Sequence, residues 1–182
     1  MKTKKYKRLL EIICNLDFVT HANIGEQVSY FYCSYVEDDK TMRFTLSLGK
    51  ENKMKVYVRQ SNIDFFEDED ETIKVDQNIR AFVMEYINAL NEKVEFFNIF
   101  LSTNRNIYLK YSQILTGPVN ETVDKLKKVI AKLSEEYHVI DYELKFMSLS
   151  ILLNKVKEPS DGLLEFYYSE YGNRPIEFGD LL

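Results

Sequence analysis

The densest potential chemistry lies in Asp64-Phe65-Phe66-Glu67-Asp68-Glu69-Asp70-Glu71, six carboxylates within eight positions. Clustered carboxylate oxygens are what Ca²⁺ and Mg²⁺ bind, but a calcium loop of the EF-hand kind also needs a glycine at its sharp turn and a bidentate glutamate closing it. Neither stands at the required spacing. The run therefore reads as a solvated acidic connection that also sets negative charge before a following helix.

The other reactive residue types are scattered. His21 and His138 are far apart, with no HExxH context and no neighbouring cysteine, so no metal ligands are expected. Cys14 and Cys33 form no CxxC pair and read as core thiols in a reducing compartment. Gly25, Gly49, Gly117, Gly162, Gly172 and Gly179 never approach GxGxxG or a P-loop, so no phosphate cradle of known type and no cofactor are expected. No serine or cysteine is paired by spacing with a histidine or lysine base, and no catalytic residue is assigned. If a pocket forms between sheet and helices, Arg43, Arg59, Arg105 and tyrosine hydroxyls would supply its polarity.

These residues must be held by one ordinary domain. The 182 residues are 45% hydrophobic and 29% charged, the composition of a folded chain. Thirteen tyrosines and twelve phenylalanines, with no tryptophan, favour a sheet. A net charge of -5 argues against general binding to a phosphate backbone, so nucleic acid is not an expected partner. The basic start Met1–Arg8 lacks a following signal-peptide core, and no stretch reaches a bilayer span, so a soluble, cytoplasmic chain with no membrane partner is expected.

Periodicity outlines the elements. Leu9, Leu10, Ile13 and Leu16 recur at helical spacing over Thr3–Leu16. Val28–Val36, Met42–Leu48 and Met54–Val58 alternate as strands of an antiparallel meander. Ile79, Phe82, Val83, Tyr86, Ile87 and Leu90 mark a second helix, with Asp76 as its expected N-cap. Val94–Leu101 and Ile107–Tyr111 are strand-like, and Gly117-Pro118 opens a third helix bearing Val123, Leu126, Ile130 and Leu133. After His138 a helix is favoured over a strand, although Tyr142, Leu144 and Phe146 also alternate. The fold class expected is α+β: about five antiparallel strands packed against helices in the order α-β-β-β-α-β-β-α, with a C-terminal extension.

The run Val75-Asp76-Gln77-Asn78 leading to Ala89-Leu90-Asn91, the strand pair after it and Leu126–Leu133 resemble the YbjN family and the class I type III secretion chaperones, over about residues 4–138. The resemblance implies a twisted antiparallel sheet packed on helices, often dimeric, that binds another polypeptide or serves a regulatory role. It brings no catalytic residue with it. Residues 1–138 would form this domain, and 139–182 an extension packed on it.

The function expected is a non-enzymatic protein-binding module of chaperone-like architecture, its partner a protein client or a second copy in a homodimer. The alternative is a small-molecule-binding regulator, or an enzyme, with a pocket between sheet and helices. Candidate partner-contacting residues are Tyr30 and Tyr32 on the first strand and Phe166, Tyr167 and Tyr168 in the tail. The tail after Pro159 is too aromatic for disorder and is expected to dock on its own chain.

Overall fold

Alternate burial runs along the strands, and the turns between them have the backbone their residues favour. The computed structural model describes residues 4–49, 51–60, 73–102, 106–155, 160–172 and 174. In chain order these form α1 (Lys4–Cys14), β1 (Val19–Ile24), β2 (Val28–Glu37), β3 (Lys40–Gly49), β4 (Lys53–Gln60), α2 (Ile73–Asn91), β5 (Asn98–Leu101), β6 (Ile107–Ile114), α3 (Val119–Lys155) and α4 (Asp161–Tyr171). The fold is α+β, with six strands where about five were expected. The addition is β1, whose Val-Thr-His-Ala-Asn-Ile sequence alternates too weakly to announce itself and which pairs irregularly with β2. β5 is shorter than the strand expected from Val94, and α2 starts at Ile73, so Asp76 lies within it and is not its cap. The acidic run Asp64–Glu71 lies outside the described residues.

All strand pairs are antiparallel, in the order β1-β2-β3-β4-β6-β5. Two turns are specific. Asp38 and Asp39 both take positive φ, 47° and 62°, the two-residue hairpin turn whose twist suits its strands, and Glu37 closes opposite Lys40. At Gly25 a Cβ would sit 2.3 Å from the Val28 carbonyl oxygen, so only glycine lets the chain reverse between β1 and β2.

One face of the sheet is the core. Phe31, Leu46, Val56 and Leu109 are almost fully buried there and join one apolar cluster with Leu9 and Ile13 of α1, Val83 and Ile87 of α2, and Leu126 and Ile130 of α3. α3 is one helix of 37 residues, about 55 Å long. Its core seam runs Val123, Leu126, Ile130, Leu133, Tyr137, Ile140, Leu144, Met147 and Ile151, steps of three and four without a break. The division expected after His138 therefore falls inside a continuous helix.

Side chains clasp backbone where elements meet. The Tyr6 hydroxyl donates to the Leu48 carbonyl at 2.9 Å, fixing α1 to β3. The Glu136 carboxylate on α3 accepts from three successive backbone N–H groups, those of Glu95, Phe96 and Phe97, the last at 2.8 Å. Asn91, last residue of α2, donates from Nδ2 to the Ile99 carbonyl and accepts from the Ile99 N–H at Oδ1, both at 2.8 Å, as a neighbouring strand would.

The tail folds back as helix α4, not as a strand. The Ser160 hydroxyl accepts from the Leu163 N–H at its start, and Gly172 at φ 60° ends it, its N–H donating to the Tyr168 carbonyl. Tyr167 packs with Phe146 and Leu153 in a second apolar cluster between α3 and α4.

Candidate functional site

Among the described residues no helix covers the other face of the sheet. The registers align outward side chains in rows across the strands. One row crosses all six: His21 opposite Tyr32, Tyr32 opposite Thr45, Thr45 opposite Tyr57, Tyr57 opposite Lys110, and Lys110 opposite Asn98. The row beside it carries Asn23, Tyr30, Ser47, Lys55 and Ser112. On the other side Arg59 lies opposite Tyr108, whose ring stacks on Phe100 with centroids 5.7 Å apart. The charged residues at outward positions of the described strands are Arg43, Lys53, Lys55, Arg59 and Lys110. All are cations, on a chain of net charge -5. Charge is thus segregated, with this face positive and aromatic.

The same face ends in a cleft. β2 and β3 pair over their whole length, from Val28↔Gly49 to Glu37↔Lys40, and so do β4 and β6, from Lys53↔Ile114 to Gln60↔Ile107. β3 and β4 are bridged only from Thr45↔Tyr57 to Leu48↔Met54. Beyond Thr45 and Tyr57 the sheet divides, and α3 passes beneath the gap. A cleft of about 420 Å³ opens there, with Lys40, Thr41 and Arg43 on one wall, Arg59 and Gln60 on the other, and Tyr137, His138, Asp141 and Lys145 from α3 as its floor.

The floor is tied in place. Gln60 Nε2 donates to Asp141 Oδ1 at 3.0 Å, and Lys145 Nζ lies 2.6 Å from Asp141 Oδ2, so this carboxylate is already engaged. Arg59 donates from Nε and Nη2 to Asn106 Oδ1, at 3.3 and 3.0 Å, which braces its guanidinium. Arg43 has no ion pair or hydrogen bond from its side chain among the described residues. Burial, followed by the charge of Lys40, pushes the His138 imidazole below its ordinary value of 6.5, so it is neutral at pH 7. Burial, with the charge of Asp141 adding to it, pushes the Tyr137 hydroxyl up to about 12 and keeps it a hydrogen-bonding group, not an anion. A second hollow of about 570 Å³ adjoins across Lys40 and His138, bordered by Glu37, Glu135, Val139 and Tyr142.

No family model matches the chain, and no curated protein or solved structure matches it. The chemistry of its groups is what remains. The Ser134 hydroxyl stands 3.4 Å from His138 Nε2, one helical turn away, but Ser134 is fully buried and out of reach of a substrate. Burial pushes the Cys33 thiol up to about 12, far from thiolate formation at neutral pH. Among the described residues no three His, Cys, Asp or Glu are placed to hold a metal ion. No described helix is long and apolar enough to cross a membrane. Neither Ser134 nor Cys33 is thus an activated, accessible nucleophile.

The candidates named from the sequence are distributed as follows. Tyr30 (44% exposed) and Tyr32 (49%) stand on the uncovered face. Phe166 (54%) and Tyr168 (55%) are exposed on α4, on the helical side of the molecule. Tyr167 is 1% exposed beneath α4, its ring 6.1 Å from that of Phe146. Consecutive residues on a helix point about 100° apart, so Tyr167, the middle one of the three, turns inward while its neighbours face out. Arg43 and Arg59 do meet at a pocket between sheet and helix, while Arg105 lies outside the described residues. Helical spacing sets Tyr137, His138, Asp141 and Lys145 along one stretch of α3, but their meeting with Lys40, Arg43 and Arg59 was not anticipated, because only the tertiary fold lays that stretch against β3 and β4.

Proposed function

We propose that the chain is a non-catalytic polypeptide-binding module whose working surface is the uncovered sheet face, and that its client is an extended acidic segment of another protein. One observation carries this reading. Cations and aromatic rings interleave at outward positions of the described strands, with no carboxylate among them. Exposed tyrosines supply large, stiff contact area at low entropic cost, lysines and arginines select an acidic partner and speed its approach, and alternate side chains of an extended peptide would follow the strand spacing. The resemblance to polypeptide-binding secretion chaperones is in line with this.

A second copy of the chain is poorly suited to the same face, because face-to-face pairing would set like charges against one another. A homodimer would use another surface, such as that carrying Phe166 and Tyr168, and sedimentation of the F166S/Y168S variant tests it.

The experiment for the client is an NMR titration with an extended peptide alternating glutamate and apolar residues, beside its lysine counterpart and a short single-stranded oligonucleotide. The acidic peptide should perturb amides around Tyr30, Tyr32, Tyr57 and Lys110, and the K53E/K55E variant should lose that binding. Tighter binding of the oligonucleotide, or perturbations confined to α4, would overturn the reading.

A further inference from the structure

We infer that the cleft where β3 and β4 part is a separate binding site for a small, hydrophilic phosphate monoester of the sugar-phosphate class, with Arg43 and Arg59 taking the phosphate from two strands. β3 and β4 are antiparallel, with Thr45 opposite Tyr57 as their last bridged pair, and Arg43 and Arg59, each two residues further on in its strand, both line the cleft that opens there. Two like charges lining one cleft repel each other. Among the described residues Asp141 is the one acid lining the cleft, and it is engaged by Gln60 and Lys145. Lys40 adds a further positive charge at the rim.

The cationic surplus asks for more than one negative charge. A phosphate monoester carries about -1.5 to -2 at neutral pH and three acceptor oxygens, and guanidinium groups suit it because they bind bidentately. The Arg59 guanidinium is already oriented by Asn106, which lowers the cost of fixing it on binding.

The rest of the lining describes the body of the ligand. Thr41, Gln60, Tyr137, His138 and Asp141 are all polar, and among the described residues no aliphatic side chain lines the cleft. Ligand pockets range over about 300–1,000 Å³ and are usually mainly apolar. A cleft of about 420 Å³ without apolar walls suits a small hydroxylated molecule. Neutral His138 can donate or accept toward a hydroxyl, and Tyr137 keeps its proton.

The test is titration of the full chain with ribose 5-phosphate, ribose and inorganic phosphate, and separately with a phosphoserine peptide and a short single-stranded oligonucleotide, followed by NMR and thermal melting. Ribose 5-phosphate is expected to shift amides from Lys40 to Arg43 and around Gln60 and Tyr137, half-saturating below about 1 mM, while ribose does nothing at that level. R43Q and R59Q, both at exposed positions, should each weaken binding by about tenfold or more with an unchanged melting curve in the absence of ligand. The K53E/K55E variant should keep it, which separates this site from the polypeptide surface. The inference is overturned if ribose 5-phosphate perturbs nothing by about 10 mM, if binding is indifferent to R43Q and R59Q, or if the phosphopeptide or oligonucleotide binds more tightly with shifts spreading over Lys53 and Lys55.

Discussion

Arg174 holds Glu143 with both arms, Nη1 at 3.0 Å from Oε1 and Nη2 at 2.7 Å from Oε2. The same guanidinium lies 3.7 Å above the Phe146 ring and 3.3 Å from the Tyr86 hydroxyl, which itself donates to Glu143 Oε2 at 2.7 Å. Arg174, three residues past the end of α4, thus joins that helix to α3 and α2, and the Tyr167 hydroxyl donates back to the Arg174 carbonyl at 2.6 Å.

Arg174→Ala should lower stability by about 1–3 kcal/mol, since a charge-assisted pair, a stacked cation and a half-buried carboxylate all lose their partner. Phe166→Ala on the exposed side of α4 should stay within about 0.5 kcal/mol. Denaturant melts of the two variants check this, and equal effects would refute the clamp.

Burial pushes the Glu143 carboxyl up, but hydrogen bonds from Arg174 and then Tyr86 outweigh it and hold the group below its ordinary 4.5. A depressed carboxylate contributes stability that is present above 4.5 and lost as pH falls through the lower folded-state value. E143Q should therefore be the less stable protein at pH 7, and its deficit should shrink in acid. A deficit constant down to the lowest pH at which the chain stays folded would count against the clamp.

His138 works in the opposite direction to a salt-bridged histidine. Its folded-state value is lowered, by burial and then by Lys40, against the contrary pull of Asp141 and Glu37. Stability from this residue is full above 6.5 and is lost as pH falls from 6.5 toward the folded value, because the unfolded chain binds the proton more readily. Melting curves of H138Q should show a shallower loss below 6.5 than the parent.

Glu136→Ala should cost about 2–3 kcal/mol, because it leaves three backbone N–H groups at Glu95–Phe97 without their acceptor. Faster amide exchange at those three residues is the local signature; unchanged exchange would show that water replaces the carboxylate freely.

Leu126→Ala should cost about 2–5 kcal/mol, its side chain being fully buried on α3. Phe82→Ala, at a half-buried position on α2, should cost less. Chemical denaturation ranks the two, and a reversed order would place the core elsewhere.

The core was legible in sequence wherever one face alone is buried. Met42, Phe44, Leu46 and Leu48 alternate with Arg43, Thr45 and Ser47, and the strand they announce is β3. α3 was harder to read past His138 because it buries two faces there. Leu144 and Met147 meet the sheet-side core, while Phe146 meets Tyr167 of α4, so burial at 144, 146 and 147 imitates a strand. β1 gave no signal because it lies at the margin of the sheet, with most of its residues exposed. The cleft was visible only as an unplaced pair of arginines. Where the β3–β4 ladder stops is a property of the whole sheet, and no local spacing records it.

The clasp of Asn91 on Ile99 limits how copies of this chain can add to one another. With both backbone groups of Ile99 taken by the carboxamide and the N–H of Phe97 taken by Glu136, a fresh strand finds little to pair with beside β5. The opposite margin, β1, has no such cover among the described residues. A head-to-tail filament needs two open margins per copy, and the clasp obstructs one of them; a strand added to this sheet would meet less obstruction at β1, where pairing of β1 with β1 about a twofold axis would use up that margin in both copies.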